Sequence, residues 1–239
     1  MADWQERITR DTKPSIRVEH DLRYAAAAPF VAGAPTWCDL GCGTGVAAAD
    51  ALGDTQLARV VLVDADADAL DQAGRDLQAR DVVRVQADLA TDEGVAAVRA
   101  ALGDGEPGAI TCFEVIEHLL GDEVELFLTG ARRAIRPTGR VVISVPIMQG
   151  PVLPLKVISG ALLHRHLPEY SLAQLLRGTL GLSVPRVAGS RHSHRGFDFR
   201  ELRKQILRVF DIKEEFYSPF KALPWQANSQ AFFVCRPKT

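Results

Sequence analysis

The chain has 239 residues, 47% of them hydrophobic, with a mean hydropathy of zero, enough to bury a full core within the size range of one large domain. Its 28 Lys and Arg against 30 Asp and Glu leave a formal charge of -2, so no whole-molecule field draws it to nucleic acid or to an anionic membrane. No apolar run is long enough to span a bilayer, and the opening MADWQERITRD is too polar for a signal peptide, which points to a cytoplasmic protein.

In chain order, a leading helix at about 14–31 precedes a strand at 36–40 (TWCDL). There follow a helix at 44–52, a strand at 59–64 (RVVLVD), a helix at 67–79 and a strand at 82–86 (VVRVQ). A helix at 91–102, a strand at 109–113 (AITCF), a helix at 122–135 and a strand at 140–145 (RVVISV) complete the regular part. RPTGR ends the last of these helices with a Pro and a Gly. Apolar runs alternating with amphipathic segments specify parallel strands joined by crossover helices.

After Pro146 the alternation fails. The stretch at about 147–196 holds four prolines and two short helical patterns, too long and too apolar for a plain loop. It is read as a helical cap inserted over the carboxyl ends of the strands of a single domain spanning 1–239. A helix at about 198–209 and two strands, DIKEEFYSP and QAFFVCRP, close the chain. The four cysteines, at 38, 42, 112 and 235, lack the spacing of a zinc site and read as buried thiols.

The stretch CDLGCGTGVAAADAL follows the first strand and opens a helix. Gly41, Gly43 and Gly45 permit a tight turn and close approach of a ligand, and in an open α/β sheet this first turn is where a nucleotide-like ligand binds. Glycines alone do not separate a nicotinamide cofactor from S-adenosylmethionine, since GTGVAA also fits the dinucleotide pattern. The acids do. Asp39, just before the glycines, would repel a pyrophosphate but can meet the cationic amino group of a methionyl moiety. Asp64 ends the second strand, where an acid takes both ribose hydroxyls in either cofactor class, and Asp88, with Leu89 beside it, is placed to accept from an adenine amino group; the order of the three acids at successive strand ends is the stronger signal.

WCDLGCGTG, VVLVDAD, QADL, CFEVIEHL and IRPTGRVVISVP, in this order and spacing, resemble the class I S-adenosylmethionine-dependent methyltransferases over about residues 17–146 and, loosely, the last 40. The resemblance implies an α/β fold with a Rossmann-like, doubly wound, seven-stranded sheet, mostly parallel with an antiparallel last strand. It also implies S-adenosylmethionine held by Tyr24, Asp39, Gly41, Cys42, Gly43, Gly45, Asp64, Ala65, Asp88, Leu89 and Glu114. Arg23 and Tyr24 resemble an Arg-Tyr pair that many members place before the glycine loop, the Tyr near the methionine moiety.

In that fold the fourth strand ends under the transferable methyl, so EVIEH borders the reaction. Three readings stay open. In the plainest, Glu114 lies at the cofactor edge, Glu117 caps or pairs near a helix start, and His118 lines the acceptor pocket. In the second, His118 is a general base, its tautomer fixed by Glu117 or Glu114, because a hydroxyl or amine must lose a proton as the methyl arrives. His194, from SRHSHRGFDF, would enter the same cleft if the cap folds back. In the third, Glu114, Glu117, His118 and a distant His resemble the metal ligands of the small-RNA 3′-terminal 2′-O-methyltransferases.

The expectation taken forward is a methyltransferase of a small, secondary-metabolite hydroxyl or amine. Catalysis is assigned to His118, His194 and Glu117, with no metal, no nucleic-acid partner and a possible homodimer. A metal-assisted RNA 2′-O-methyltransferase and a non-catalytic cofactor-binding subunit are the alternatives. The cap carries Leu155, Val157, Ile158, Leu162 and Leu163 among Lys156, His164, Arg165 and His166, a pattern that suits a packed cap helix or a lid excluding water from a cationic cofactor.

Overall fold

The computed structural model describes residues 14–45, 58–76, 81–103, 105–164, 170–187, 189–191 and 193–238. Helix α1 (Pro14–Val31) leads into β1 (Thr36–Leu40), β2 (Arg59–Asp64), α2 (Ala67–Asp76), β3 (Asp81–Gln86), α3 (Asp92–Leu102) and β4 (Ala109–Phe113). Then come α4 (Gly121–Ala134), β5 (Arg140–Pro146), α5 (Val152–His164), α6 (Leu172–Thr179), α7 (Phe199–Val209), β6 (Phe210–Ser218) and β7 (Gln230–Pro237). The helix expected at 44–52 lies outside the described residues from position 46 on, as do the last residues of the one expected at 67–79.

The seven strands form one sheet in the order β3-β2-β1-β4-β5-β7-β6. β7 runs antiparallel to both β5 and β6 and the other six strands run parallel. This is the doubly wound, Rossmann-like arrangement, with its topological switch point between β1 and β4, where ligands of such sheets bind. Both faces are covered, so the strands read as continuous apolar runs. On one face Trp37, Leu62, Val142 and Phe232 pack with Tyr24, Ala27 and Val31 of α1 and with Leu70 and Ala73 of α2. On the other, Cys38, Val61, Ile110 and Ile143 pack with Val98 of α3, Phe127 and Leu128 of α4, and Leu202 and Ile206 of α7.

The carboxyl ends of the parallel strands gather the glycine turn, the EVIEH segment and the cap. Lys156 of α5 donates from Nζ to the carbonyls of Ile147 and Ser229, at 3.0 and 2.7 Å, tying the cap to the end of β5 and the start of β7. Ser171 caps α6 through the Gln174 N–H, and Gln174 returns a bond to the Ser171 N–H. Gln149, buried, donates to the Phe197 carbonyl and so closes the two ends of the cap on each other. All four cysteines are buried and unbridged.

Candidate active site

β1 delivers the chain into a turn in which Gly41, Gly43 and Gly45 have φ of 78°, 53° and 67°, the left-handed region that favours glycine. A Cβ at Gly41 would lie 2.2 Å from Val115 Cγ2, so only glycine lets the turn pack against the segment after β4. A Cβ at Gly43 would meet nothing within 4 Å, which leaves open backbone for a ligand. Asp64 points at this turn: Oδ2 accepts from the Gly43 N–H at 2.8 Å and Oδ1 from the Asp66 N–H at 2.9 Å. Ala65 is exposed beside it, and Cys42 is buried.

Asp39 is only 1% exposed. The β1–β4 register sets it opposite Thr111, whose hydroxyl donates to Oδ1 at 2.5 Å, while the Tyr24 hydroxyl donates to Oδ2 at 2.7 Å. Trp37 Nε1 donates in turn to Thr111 Oγ1 at 2.8 Å. Asp39 and Tyr24 thus lie one layer beneath the glycine turn, joined to each other. Asp88 is exposed, with Leu89 buried beside it. Its Oδ1 accepts from the Ala90 N–H at 2.9 Å and its Oδ2 lies 3.6 Å from Arg191 Nη1.

Beyond β4, Glu114 adopts φ 57°, the sole positive value at a non-glycine among the described residues, the kind of strain that clusters at functional sites. Its N–H donates to the Ser144 carbonyl at 3.0 Å, and its Oε2 lies 3.7 Å from Arg23 Nη2. The carboxylate is therefore turned toward α1.

Ile116–His118 form a single 3₁₀ turn. Glu117 is 0% exposed and neither carboxylate oxygen has a hydrogen-bond partner. The plainest reading had it capping or pairing near a helix start; it does not cap the following helix, where Glu123 accepts from the Leu120 N–H at 2.8 Å. Burial, then the negative charge of Glu114, pushes the Glu117 carboxyl well above the usual carboxylate range. An unsatisfied buried carboxyl costs about 1–3 kcal/mol or more.

His118 Nδ1 lies 2.6 Å from the Arg191 carbonyl oxygen. That oxygen can only accept, so Nδ1 carries the proton and, in the neutral ring, Nε2 carries the lone pair. His194 Nε2 faces it at 3.4 Å, with the two rings 4.8 Å apart. The cap does fold back, and it brings His194 to His118. Ligand atoms of Glu117, His118 and His194 all lie within 4.8 Å of one another, a group that could hold a metal ion. Glu114, counted with them in the four-residue metal set, is absent from this group. The two imidazole nitrogens can take a proton from an acceptor, and all three ligand atoms together can grip a divalent cation.

Residues 13–186 match the model of a protein family described as a methyltransferase domain. The chain belongs to that family. S-adenosylmethionine is its methyl donor. The fold is similar to that of a TehB-like S-adenosylmethionine-dependent methyltransferase from Corynebacterium glutamicum, at TM-score 0.59 and 19% identity over 99% of this chain and 97% of that one. It is similar as well to the N-methyltransferase NodS from Bradyrhizobium japonicum with S-adenosylhomocysteine bound, at TM-score 0.57 and 12% identity over 96% and 90%. The small RNA methyltransferase HEN1 superposes at TM-score 0.61 and 16% identity over 92% of this chain and 26% of that one. No curated protein matches in sequence.

The methyltransferase has a site that fits this donor. Bare backbone at Gly43 allows close approach, and the strand-end acid Asp64 beside it suits ribose hydroxyls rather than phosphate. Sequence reasoning missed Thr111, buried in mid-strand, and Arg191, which lies near Asp88, pairs with Glu123 and orients His118. Thr111 could have been found from the register, since a polar residue inside AITCF faces the one buried acid of β1. Arg191 left no local signal.

Burial raises the Asp39 carboxyl from an ordinary 3.8 to about 6, although two hydroxyls donate to it. Between those values the folded methyltransferase keeps a proton that the unfolded chain has released, so Asp39 costs stability increasingly as pH rises through the window and by a constant amount above it. Asp39→Asn is expected to flatten this slope and to gain on the wild type by about 2 kcal/mol from pH 4 to pH 6. Urea unfolding of both proteins across that range checks it; parallel stability curves would contradict it.

Proposed function

We propose that the protein methylates a hydroxyl of a small molecule in the cytoplasm and activates that hydroxyl at Glu117, His118 and His194. The observation that carries the reading is the meeting of His118 Nε2 and His194 Nε2 at 3.4 Å, where one element comes from the end of β4 and the other from the returning cap. A hydroxyl that reaches either nitrogen gives up its proton to it as it attacks the sulfonium methyl and S-adenosylhomocysteine leaves, work that a positioned group makes about a hundred- to ten-thousandfold faster. A formal charge of -2 supplies no whole-molecule field toward an RNA backbone. The test is a panel of phenols, catechols, ribonucleosides and amines with methyl-labelled S-adenosylmethionine. Label recovered on oxygen supports the reading, and label recovered only on nitrogen or carbon removes it.

A second reading of the same three residues is favoured by Glu117. A buried carboxylate without a hydrogen-bond partner, beside two imidazole nitrogens, is what a divalent cation would satisfy, and the His118 Nδ1–H bond to a backbone carbonyl is the support that metal-bound histidines use. Such an ion would suit an acceptor with vicinal hydroxyls. Dialysis against EDTA is then expected to abolish methyl transfer, and manganese or magnesium to restore it, with Glu117→Gln as inactive as the stripped protein. Activity indifferent to EDTA returns the role to His118 as an unaided base.

A further inference from the structure

Eight large hydrophobic side chains stand exposed among the described residues: Leu155, Ile158, Leu172, Leu176, Leu180, Leu182, Phe220 and Leu223. All eight fall in the cap or in the β6–β7 loop. Leu172, Leu176 and Leu180, 75%, 59% and 77% exposed, recur every fourth residue along α6 and its C-cap, so they form one stripe, and that stripe faces outward. On the inner side Leu153 of α5 lies where a Gly178 Cβ would come within 2.5 Å of it, so the two cap helices pack on each other and leave their apolar faces uncovered. Trp225 joins the loop to the cap, since Cβ atoms at Gly150 and Gly181 would lie 2.7 and 3.4 Å from its ring. β6 runs parallel to β5, so this loop and the cap share the carboxyl end of the sheet with Glu117 and His118.

Charge is divided in the same way. Residues 147–196 contain six Lys and Arg and one Glu, whereas the remainder of the chain contains 22 basic and 29 acidic residues. Of these cations Lys156, Arg186 and Arg191 are engaged with the Ile147 and Ser229 carbonyls, the Glu117 carbonyl, and Glu123 and Asp88, so the charge at the apolar face is carried by Arg177, next to Leu176 on α6, and Lys221, between Phe220 and Leu223, both exposed. A face that is apolar and basic while the rest of the molecule is acidic complements an anionic lipid surface, on which leucines enter the headgroup boundary and cations meet the lipid charge. It is a poor match for itself, because a two-fold dimer through this patch would press two basic surfaces together. No described helix is long and apolar enough to cross a membrane, so the surface would be met from the side.

We propose that the cap and the β6–β7 loop dock the protein on an anionic bilayer, with its acceptor centre at the membrane-facing end. This goes beyond the identity of the acceptor and stands or falls separately from it. The probe is co-sedimentation of the full chain with vesicles of equal parts phosphatidylcholine and phosphatidylglycerol, and with vesicles of phosphatidylcholine alone. The expected result is pelleting with the mixed vesicles, at least about tenfold weaker binding without the anionic lipid, and release by salt. Leu176→Glu with Leu180→Glu, and separately Arg177→Glu with Lys221→Glu, are expected to leave the protein in the supernatant. These side chains are exposed, so both variants keep the wild-type melting temperature and cofactor affinity. A wild-type protein that stays soluble with both vesicles overturns the proposal. So does a homodimer in light scattering that Leu176→Glu with Leu180→Glu converts to monomer, which would make the face a contact between copies, and so does binding that neither variant weakens.

Discussion

His118→Ala is expected to lower turnover by about two to four orders of magnitude while leaving affinity for S-adenosylhomocysteine almost unchanged. Under the reading we propose, the reason is positional. His118 belongs to the group that receives the acceptor, and its Nδ1 is tied to the Arg191 carbonyl, so its loss removes a contact to the acceptor hydroxyl and none to the sulfonium. If proton removal is the whole of its role, the deficit shrinks at high pH, where the acceptor ionises unaided. If the ring holds an ion, the deficit persists at every pH and Glu117→Gln reproduces it. Single-turnover kinetics over a pH series with calorimetry of the cofactor product checks both parts. A variant that changes only the acceptor Michaelis constant would reduce His118 to a wall of the pocket.

Asp64→Ala carries the second large effect, on binding rather than chemistry. The proposed ribose contacts are charge-assisted hydrogen bonds of about 1.5–3 kcal/mol each, so affinity for S-adenosylhomocysteine should fall at least about tenfold to a hundredfold. The carboxylate also holds the turn itself through the Gly43 and Asp66 N–H groups, so part of the loss arises from a slacker loop. Thermal unfolding should move much less than affinity, since Asp64 sits at a strand end and outside both hydrophobic clusters. Unchanged calorimetric affinity in a folded Asp64→Ala protein would take Asp64 out of the site.

The strands were legible because a parallel strand covered on both faces has to be apolar throughout: TWCDL, RVVLVD and AITCF occupy the residues expected of them. The antiparallel sense of the last strand came from the family resemblance, since periodicity carries no strand direction. Within the site, local sequence placed Asp64 beside the glycine turn, yet it could not show that Asp39 is sealed beneath it. That depends on β1 and β4 lying side by side with Thr111 opposite, 72 residues away. Glu117 and Glu114 look alike in EVIEH, and the fold separates them, since a left-handed residue turns one toward Arg23 while a 3₁₀ turn buries the other. The cap shows the same limit. Periodicity reveals that a helix has an apolar face, but not whether that face meets protein, and on α6 Leu172 and Leu176 stand exposed.

Proton removal at His118 is tested by comparing wild type and His118→Ala for transfer of a labelled methyl group from S-adenosylmethionine to the hydroxyl acceptors of the panel, with S-adenosylhomocysteine affinity determined on the same two preparations. The expected result is labelled oxygen with the wild type, loss of about two to four orders of magnitude in the variant, and equal affinity for the cofactor product. A folded variant that transfers methyl groups to the same hydroxyl at the wild-type rate would contradict it.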